Sequence, residues 1–100
     1  MLMAITRIEI PHDRIAEFCR RNHIRKLSLF GSVVREDFKP DSDVDVLVEF
    51  EPGYTPGLRF FTLQAELSQI LGRAVDLNTR QWLSPYFRED VENEQVAIYV

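Results

Sequence analysis

The sequence predicts a small α/β domain of the α+β kind, in which helices pack on one face of a mixed β-sheet. Two stretches, residues 43–50 and 74–78, alternate between apolar and acidic or polar side chains, as half-buried strands do. Residues 58–71 instead carry apolar side chains at helical spacing and end at Gly72, a residue type that commonly terminates helices. Together these patterns predict a sheet whose apolar face is covered by helices.

Composition limits the class of protein. One hundred residues, of which 45% are hydrophobic and 28% charged, predict a single soluble domain over residues 1–100. A net charge of −4 argues against direct binding of nucleic acid, which needs clustered lysines and arginines. The single cysteine, Cys19, excludes an internal disulfide and a multi-cysteine zinc site. No apolar run approaches the roughly 18 residues of a membrane helix, so we expect a cytoplasmic protein without membrane contact.

The remaining elements follow from local signals. Pro11 suits the first turn of a helix, because the N–H that proline lacks would be unpaired there. Ile15, Phe18 and Cys19 then form an apolar stripe at helical spacing, and the lone cysteine is interpreted as a small core residue. The other predicted elements are strands at residues 24–30 and 96–99 and a helix from about residue 84 or 85 to residue 93.

Three aspartates occupy the polar sides of the two alternating strands. Asp43 and Asp45 point the same way, about 6.5–7 Å apart along the chain, and Asp76 repeats the arrangement on the later strand. Aspartate is a poor strand former, and carboxylates gathered on one face repel one another. The pattern therefore leaves two interpretations: the solvated face of a half-exposed strand, or a site in which cations neutralise the carboxylates.

Two other phosphate or cation motifs are excluded. Asp41, Asp43 and Asp45 begin like a calcium-binding EF-hand loop, which needs glycine at its sixth position and glutamate at its twelfth. Those positions hold Val46 and Pro52, so the loop is not an EF-hand. No Gly-Lys-Ser or Gly-Lys-Thr sequence is present, which excludes a P-loop.

A Gly-Ser pair follows the first predicted strand. Gly31 allows the backbone to pass close to a ligand, and Ser32 is expected to cap the turn that follows. The pair alone favours a simple corner between a strand and a helix, and only its position before the aspartates favours a site. Arg35 is placed to reach phosphate, although an ion pair with Asp37 is an equal alternative.

The run from Gly31 to Asp45, followed by Asp76, resembles the nucleotidyltransferase superfamily that includes DNA polymerase beta, in its minimal (MNT) branch. The family pattern is Gly-Ser, a nearby arginine, Asp-x-Asp on a strand and a third aspartate on a later strand. The resemblance covers nearly the whole chain, is closest to MntA-like antitoxins of HEPN/MNT toxin–antitoxin pairs, and implies a polymerase-beta-like nucleotidyltransferase fold. Two positions depart from the usual run, since Val34 replaces alanine and Glu36 replaces glycine.

The resemblance also implies a reaction, namely Mg²⁺-dependent transfer of AMP from ATP to a hydroxyl. The catalytic and metal-binding residues would be Asp43, Asp45 and Asp76, with two Mg²⁺ ions between them. Asp43 and Asp45 would bind the metal and the triphosphate, while Asp76 would hold the second ion and orient or deprotonate the hydroxyl. The phosphate-binding residues would be Gly31, Ser32 and Arg35.

By the same resemblance, the acceptor would be a tyrosine of a HEPN-type RNase toxin, and the chain would act as its antitoxin in a hetero-oligomer. In the alternative, Glu36 weakens triphosphate binding and the domain neutralises its partner by binding alone. A weaker third possibility is transfer to a small molecule, which in aminoglycoside-modifying relatives usually requires a further domain. A shallow acceptor site would be completed by a second protein, with contributions from Tyr54, Tyr86 and residues 51–57.

Overall fold

The computed structural model describes residues 8–35 and 38–100. Glu36 and Asp37 lie outside the described residues, so the expected effect of Glu36 and the alternative ion pair between Arg35 and Asp37 stay predictions. The helices and strands of the described residues are α1 (His12–Arg21), β1 (Ile24–Phe30), β2 (Val44–Phe50), α2 (Arg59–Leu71), β3 (Val75–Asn78), α3 (Pro85–Glu94) and β4 (Val96–Tyr99).

The four strands form one mixed sheet in the order β3-β2-β1-β4. β1 pairs antiparallel with both β2 and β4, whereas β2 and β3 are parallel. Parallel neighbours need a long crossover connection, and α2 supplies it between β2 and β3. The predicted fold class is therefore confirmed, and the crossover is what brings the two aspartate-bearing strands together.

The main core lies between the sheet and the first two helices. α1 contributes Ile15, Phe18 and Cys19, which are fully buried, and α2 contributes Leu63 and Leu67. Burial also raises the pKa of the Cys19 thiol to about 12, so this cysteine behaves as the inert core residue that was predicted. The sheet residues of the same core cluster are Ile24, Leu27, Leu29, Val44, Val46, Val48, Val75 and Leu77.

The third helix packs on the opposite face of the sheet. Val91 of α3 forms a small buried cluster with Phe30 and Leu47, and Leu47 shares its face of β2 with Asp45 because side chains alternate along a strand. Two large apolar side chains on that face would otherwise meet water, and α3 removes them from it. The prediction that the helices lie on one face of the sheet is therefore wrong for α3, which partly covers the acidic face.

Local signals place most element ends within a residue or two. Pro11 directly precedes α1, and Gly72, with a φ of 70°, terminates α2 as predicted. Ser84 caps α3, since its hydroxyl accepts a hydrogen bond from the Tyr86 N–H, and Pro85 follows at the first helical position. On α2, Phe60 is buried, whereas its neighbour Phe61 is 62% exposed. Among the described residues, no helix is long and apolar enough to cross a membrane.

Candidate active site

The parallel pairing of β2 with β3 places two of the predicted aspartates side by side. Asp45 is the register partner of Asp76, and neighbouring strands lie about 4.8 Å apart. Asp43 immediately precedes β2 and is exposed, as is Asp76, whereas Asp45 is partly buried. The structure thus brings Asp45 and Asp76 together at the end of the sheet where β1 leads into Gly31 and Ser32. These two residues are called the Gly-Ser corner below.

Electrostatic coupling joins all three carboxylates. Partial burial of Asp45, followed by the negative charges of Asp76 and Asp43, raises the pKa of Asp45 to about 6. The nearby Arg35 guanidinium acts in the opposite direction, and a further carboxylate, that of Glu94, raises the pKa again. Among the described residues, the positive charge of Arg35 therefore does not balance the negative charges of the three aspartates and Glu94.

The donors at this site suit a divalent cation, although they are not already gathered around one. Among residues 8–35 and 38–100, no three histidine, cysteine, aspartate or glutamate side chains are grouped closely enough to hold a metal ion. Carboxylate oxygens are nevertheless the ligands that Mg²⁺ prefers, and a bound cation would relieve the repulsion that raises the pKa of Asp45. The metal-ligand roles of Asp43, Asp45 and Asp76 stay predictions.

The glycine at the corner is required by the position of Asp45. Gly31 has a φ of 75°, in the left-handed region that side chains rarely adopt. A Cβ built on Gly31 would overlap the Asp45 Oδ2 and would lie 3.2 Å from its Cγ. The backbone of Gly31 therefore passes directly against the Asp45 carboxylate, and its predicted close approach to a ligand stays a prediction.

The predicted cap by Ser32 is wrong. The strand continues to Phe30, so the turn over Gly31–Val34 takes Phe30 as its N-cap and has no side-chain cap. Ser32 lies inside that turn, where its backbone carbonyl accepts a hydrogen bond of 3.0 Å from the Arg35 N–H. This 3₁₀ turn has only four residues, so its dipole contributes little to anion binding. The phosphate-binding role of Ser32 stays a prediction.

A residue that was not predicted completes the corner. Glu94, the last residue of α3, accepts a hydrogen bond of 2.8 Å from the Gly31 N–H through its Oε1. Arg35 Nη1 lies 3.3 Å from the Glu94 Oε1 and 3.2 Å from its Oε2. Two of the groups expected to bind phosphate therefore contact a carboxylate of the chain itself.

A cavity of about 660 Å³ opens beside these groups, between the Gly-Ser corner and α3. Its polar wall includes Gly31, Arg35 and Asp45, and its apolar wall includes Leu83 and Phe87. This volume and this combination of apolar walls with a few polar groups are typical of small-molecule sites. We therefore identify the cavity as the candidate substrate site.

A second cavity of about 690 Å³ lies at the far end of β2, away from the aspartates. Tyr54 and Trp82 line it together with Arg25 and Arg80, which are paired with Glu49 and Glu92. Tyr86 is elsewhere, on α3, and is 90% exposed. The expected contribution of Tyr54, Tyr86 and residues 51–57 to an acceptor site stays a prediction, and the smaller cavity is the one next to the carboxylates.

The raised pKa of Asp45 predicts how stability depends on pH in the absence of metal. Between a pKa near 3.8 in the unfolded chain and about 6 in the folded one, the folded state binds more protons, so stability falls as pH rises through this window. We expect Asp45→Asn to raise the free energy of unfolding at pH 7.5 by on the order of 1 kcal/mol, discounted for solvent screening, and to change it little at pH 3.5. Thermal melts from pH 3.5 to 7.5 measure this change in stability, and Asp41→Asn, which removes the same charge, is the control. Equal curves for both variants would contradict the assignment.

The fold and this arrangement together define a nucleotidyltransferase, and the family model described as "Nucleotidyltransferase domain" matches residues 12–98. The chain belongs to that family, as the sequence predicted. Protein adenylyltransferase MntA of Thermococcus cleftensis is 39% identical over 83 residues, which cover 82% of each chain.

Two solved structures share the fold. One, the crystal structure of a toxin-antitoxin with AMP-PNP, superposes with a TM-score of 0.71 at 21% identity and covers 90% of this chain and 73% of that chain. The other is a tri-AMPylated Shewanella oneidensis HEPN toxin in complex with its MNT antitoxin; it has a TM-score of 0.63 at 21% identity and covers 88% of this chain and 70% of that chain. At these identities the likeness establishes the fold.

Proposed function

We propose that this protein is a protein adenylyltransferase that transfers AMP from ATP to a tyrosine hydroxyl of a HEPN-type toxin, and so acts as an antitoxin. The observation that carries the proposal is the placement of Asp45 between Asp76 and Gly31, beside a nucleotide-sized cavity. The similarity to a protein adenylyltransferase over most of both chains supports the choice of reaction. The AMPylated toxin bound by a structural neighbour supports the choice of partner.

In the proposed reaction, the hydroxyl oxygen of the acceptor attacks the α-phosphorus of ATP. The bond between that phosphorus and the bridging oxygen of the β-phosphate breaks, so AMP is joined to the acceptor and pyrophosphate leaves. Asp76 orients the hydroxyl and accepts its proton, while Asp43 and Asp45 face the triphosphate. Mg²⁺ held by the three aspartates would supply the positive charge that stabilises the attacking and leaving oxygens.

Gly31 and Arg35, which lie on the same polar wall of the cavity as Asp45, would bind the phosphates. The Gly31 N–H already donates to an anionic oxygen, and Arg35 already faces the same carboxylate, so both groups are directed at a negative charge. Leu83 and Phe87 form the apolar wall against which the nucleoside would lie. Each part of the nucleotide therefore has a matching surface in one cavity.

The acceptor is expected to come from a second protein, in a cytoplasmic hetero-oligomer. The aspartates lie at the rim of the domain, with Asp43 and Asp76 exposed, so a partner side chain can approach them directly. Exposed apolar side chains, among them Phe61, Trp82 and Phe87, offer surface for such a partner. Neutralisation by binding alone remains the competing proposal, because the same surface would serve it without catalysis.

One experiment tests the proposal. The chain is incubated with ATP, Mg²⁺ and a HEPN-type toxin, taken from the neighbouring gene where that gene encodes one, and the toxin is weighed by intact mass spectrometry. We expect the mass of one or more AMP groups on the partner, located on tyrosine by peptide mapping. A tight complex of the two proteins without any added AMP would favour binding alone, and calorimetry with Mg²⁺ and ATP would then show no heat.

A further inference from the structure

The Gly-Ser corner already holds an anion, and that anion belongs to the chain. Glu94 accepts from the Gly31 N–H at 2.8 Å, and both of its carboxylate oxygens lie 3.2–3.3 Å from the Arg35 guanidinium. A carboxylate and a phosphate use the same charge-assisted hydrogen bonds, from backbone N–H groups and from arginine. Gly31 and Glu94 are 63 residues apart in the sequence, so the contact depends on the tertiary fold rather than on local structure.

From this geometry we infer that Glu94 occupies the anion subsite of the nucleotide site, and that a polyphosphate must displace its carboxylate from Gly31 and Arg35 in order to bind. The inference rests on the proposed nucleotide site and adds to it a gate, by which we mean the Glu94 carboxylate that blocks the phosphate position until it is displaced. The Gly31 N–H is a single donor, so it cannot serve the carboxylate and a phosphate at once. The carboxylate also repels an incoming polyphosphate for as long as it stays in place.

The position of Glu94 makes its displacement feasible. It is the last residue of α3, where the negative end of the helix dipole disfavours a carboxylate. Its charge also adds to that of the three aspartates, as the electrostatics of Asp45 show. Glu94 therefore gains little from its own helix, and its hydrogen bonds to Gly31 and Arg35 are the interactions that hold it.

The cavity gives the displaced side chain somewhere to go. Glu94 lines the same cavity of about 660 Å³ as Gly31, and its side chain is 28% exposed. A rotation about its side-chain bonds would take the carboxylate to solvent without moving α3, and exposed ion pairs of this kind contribute little to stability. The gate is therefore a side chain, and the backbone N–H of Gly31 stays in position for the incoming phosphate.

The test measures anion binding directly. Calorimetric titrations of wild type, Glu94→Gln and Glu94→Ala with inorganic tripolyphosphate, and then with Mg²⁺ and ATP, report the dissociation constants. We expect both variants to bind each ligand about tenfold or more tightly than wild type, which corresponds to about 1.4 kcal/mol. Glu89→Gln is the matched control, since it removes the same charge from an exposed position of the same helix and is expected to match wild type.

A second readout follows the hydrogen bond itself. In amide NMR spectra, Glu94→Ala should shift the Gly31 signal in the absence of ligand, and tripolyphosphate should then shift it again at lower concentration than in wild type. A positioning role for Glu94, in which it holds Arg35 ready for phosphate, predicts the reverse order of affinities. Equal or weaker binding by Glu94→Ala and Glu94→Gln would therefore overturn the inference.

Failure of the Glu94 inference can be distinguished from failure of the proposed function. If the Glu94 variants bind Mg²⁺ and ATP more tightly but no partner receives AMP, the gate stands and the transfer reaction falls. If wild type transfers AMP while the variants bind no more tightly than wild type, the gate alone is wrong.

Discussion

Asp45→Asn is expected to abolish AMP transfer while making the metal-free protein more stable. The substitution keeps the size of the side chain but removes the charge that faces Asp76, and with it an anionic ligand for Mg²⁺. Loss of one electrostatic contact of this kind typically lowers kcat by about 10²–10³-fold, or about 3–4 kcal/mol in the barrier. We expect at least that loss here, because Asp45 is the most buried of the three aspartates.

The opposite signs of the two effects make the result diagnostic. A variant that merely misfolds would lose both activity and stability, whereas Asp45→Asn should lose activity and melt at a higher temperature at pH 7.5. Added Mg²⁺ should raise the melting temperature of wild type and leave that of the variant nearly unchanged. Asp41→Asn, which removes an exposed charge four residues earlier, should keep both the transfer rate and the response to Mg²⁺. Unimpaired transfer by Asp45→Asn would contradict the proposed chemistry.

The strands could be predicted from the sequence because each signal is local. The strands predicted at residues 24–30 and 96–99 have the bounds of β1 and β4, and the aspartates on β2 and β3 share a face as the period of two requires. Their pairing across parallel strands is a different matter, since it depends on which strands are neighbours. That information lies in the crossover through α2 and in the order of the sheet.

Glu94 could not be predicted in the same way, because its partners are 59 and 63 residues away in the sequence. One local signal was nevertheless present. A glutamate in the last turn of a helix opposes the helix dipole, and such a conflict between a residue and its own element indicates a partner elsewhere in the fold. The predicted cap by Ser32 failed because the sequence does not show whether a side chain reaches the backbone N–H groups of the turn that contains it.

Gly31→Ala is expected to destabilise the protein and to impair transfer, through two separable effects. An alanine at a φ of 75° is strained, at a cost of about 1–3 kcal/mol. Its Cβ would also overlap the Asp45 carboxylate, and crowding of this kind adds about 1–3 kcal/mol unless the carboxylate moves. If the carboxylate does move, it leaves its place opposite Asp76, and the transfer rate falls instead.

Gly72→Ala isolates the first effect from the second. Gly72 has nearly the same φ, 70°, but a Cβ built on it would meet nothing within 4 Å. We therefore expect Gly72→Ala to cost the backbone strain alone and to leave transfer intact. In an Asp45→Ala background, where the obstructing carboxylate is absent, the cost of Gly31→Ala should fall to that of Gly72→Ala, as urea denaturation of the double-mutant cycle would show. If Gly31→Ala instead costs the same in both backgrounds, the close approach of the glycine to Asp45 is not what requires glycine at this corner, and the carboxylate would have to be placed elsewhere in the site.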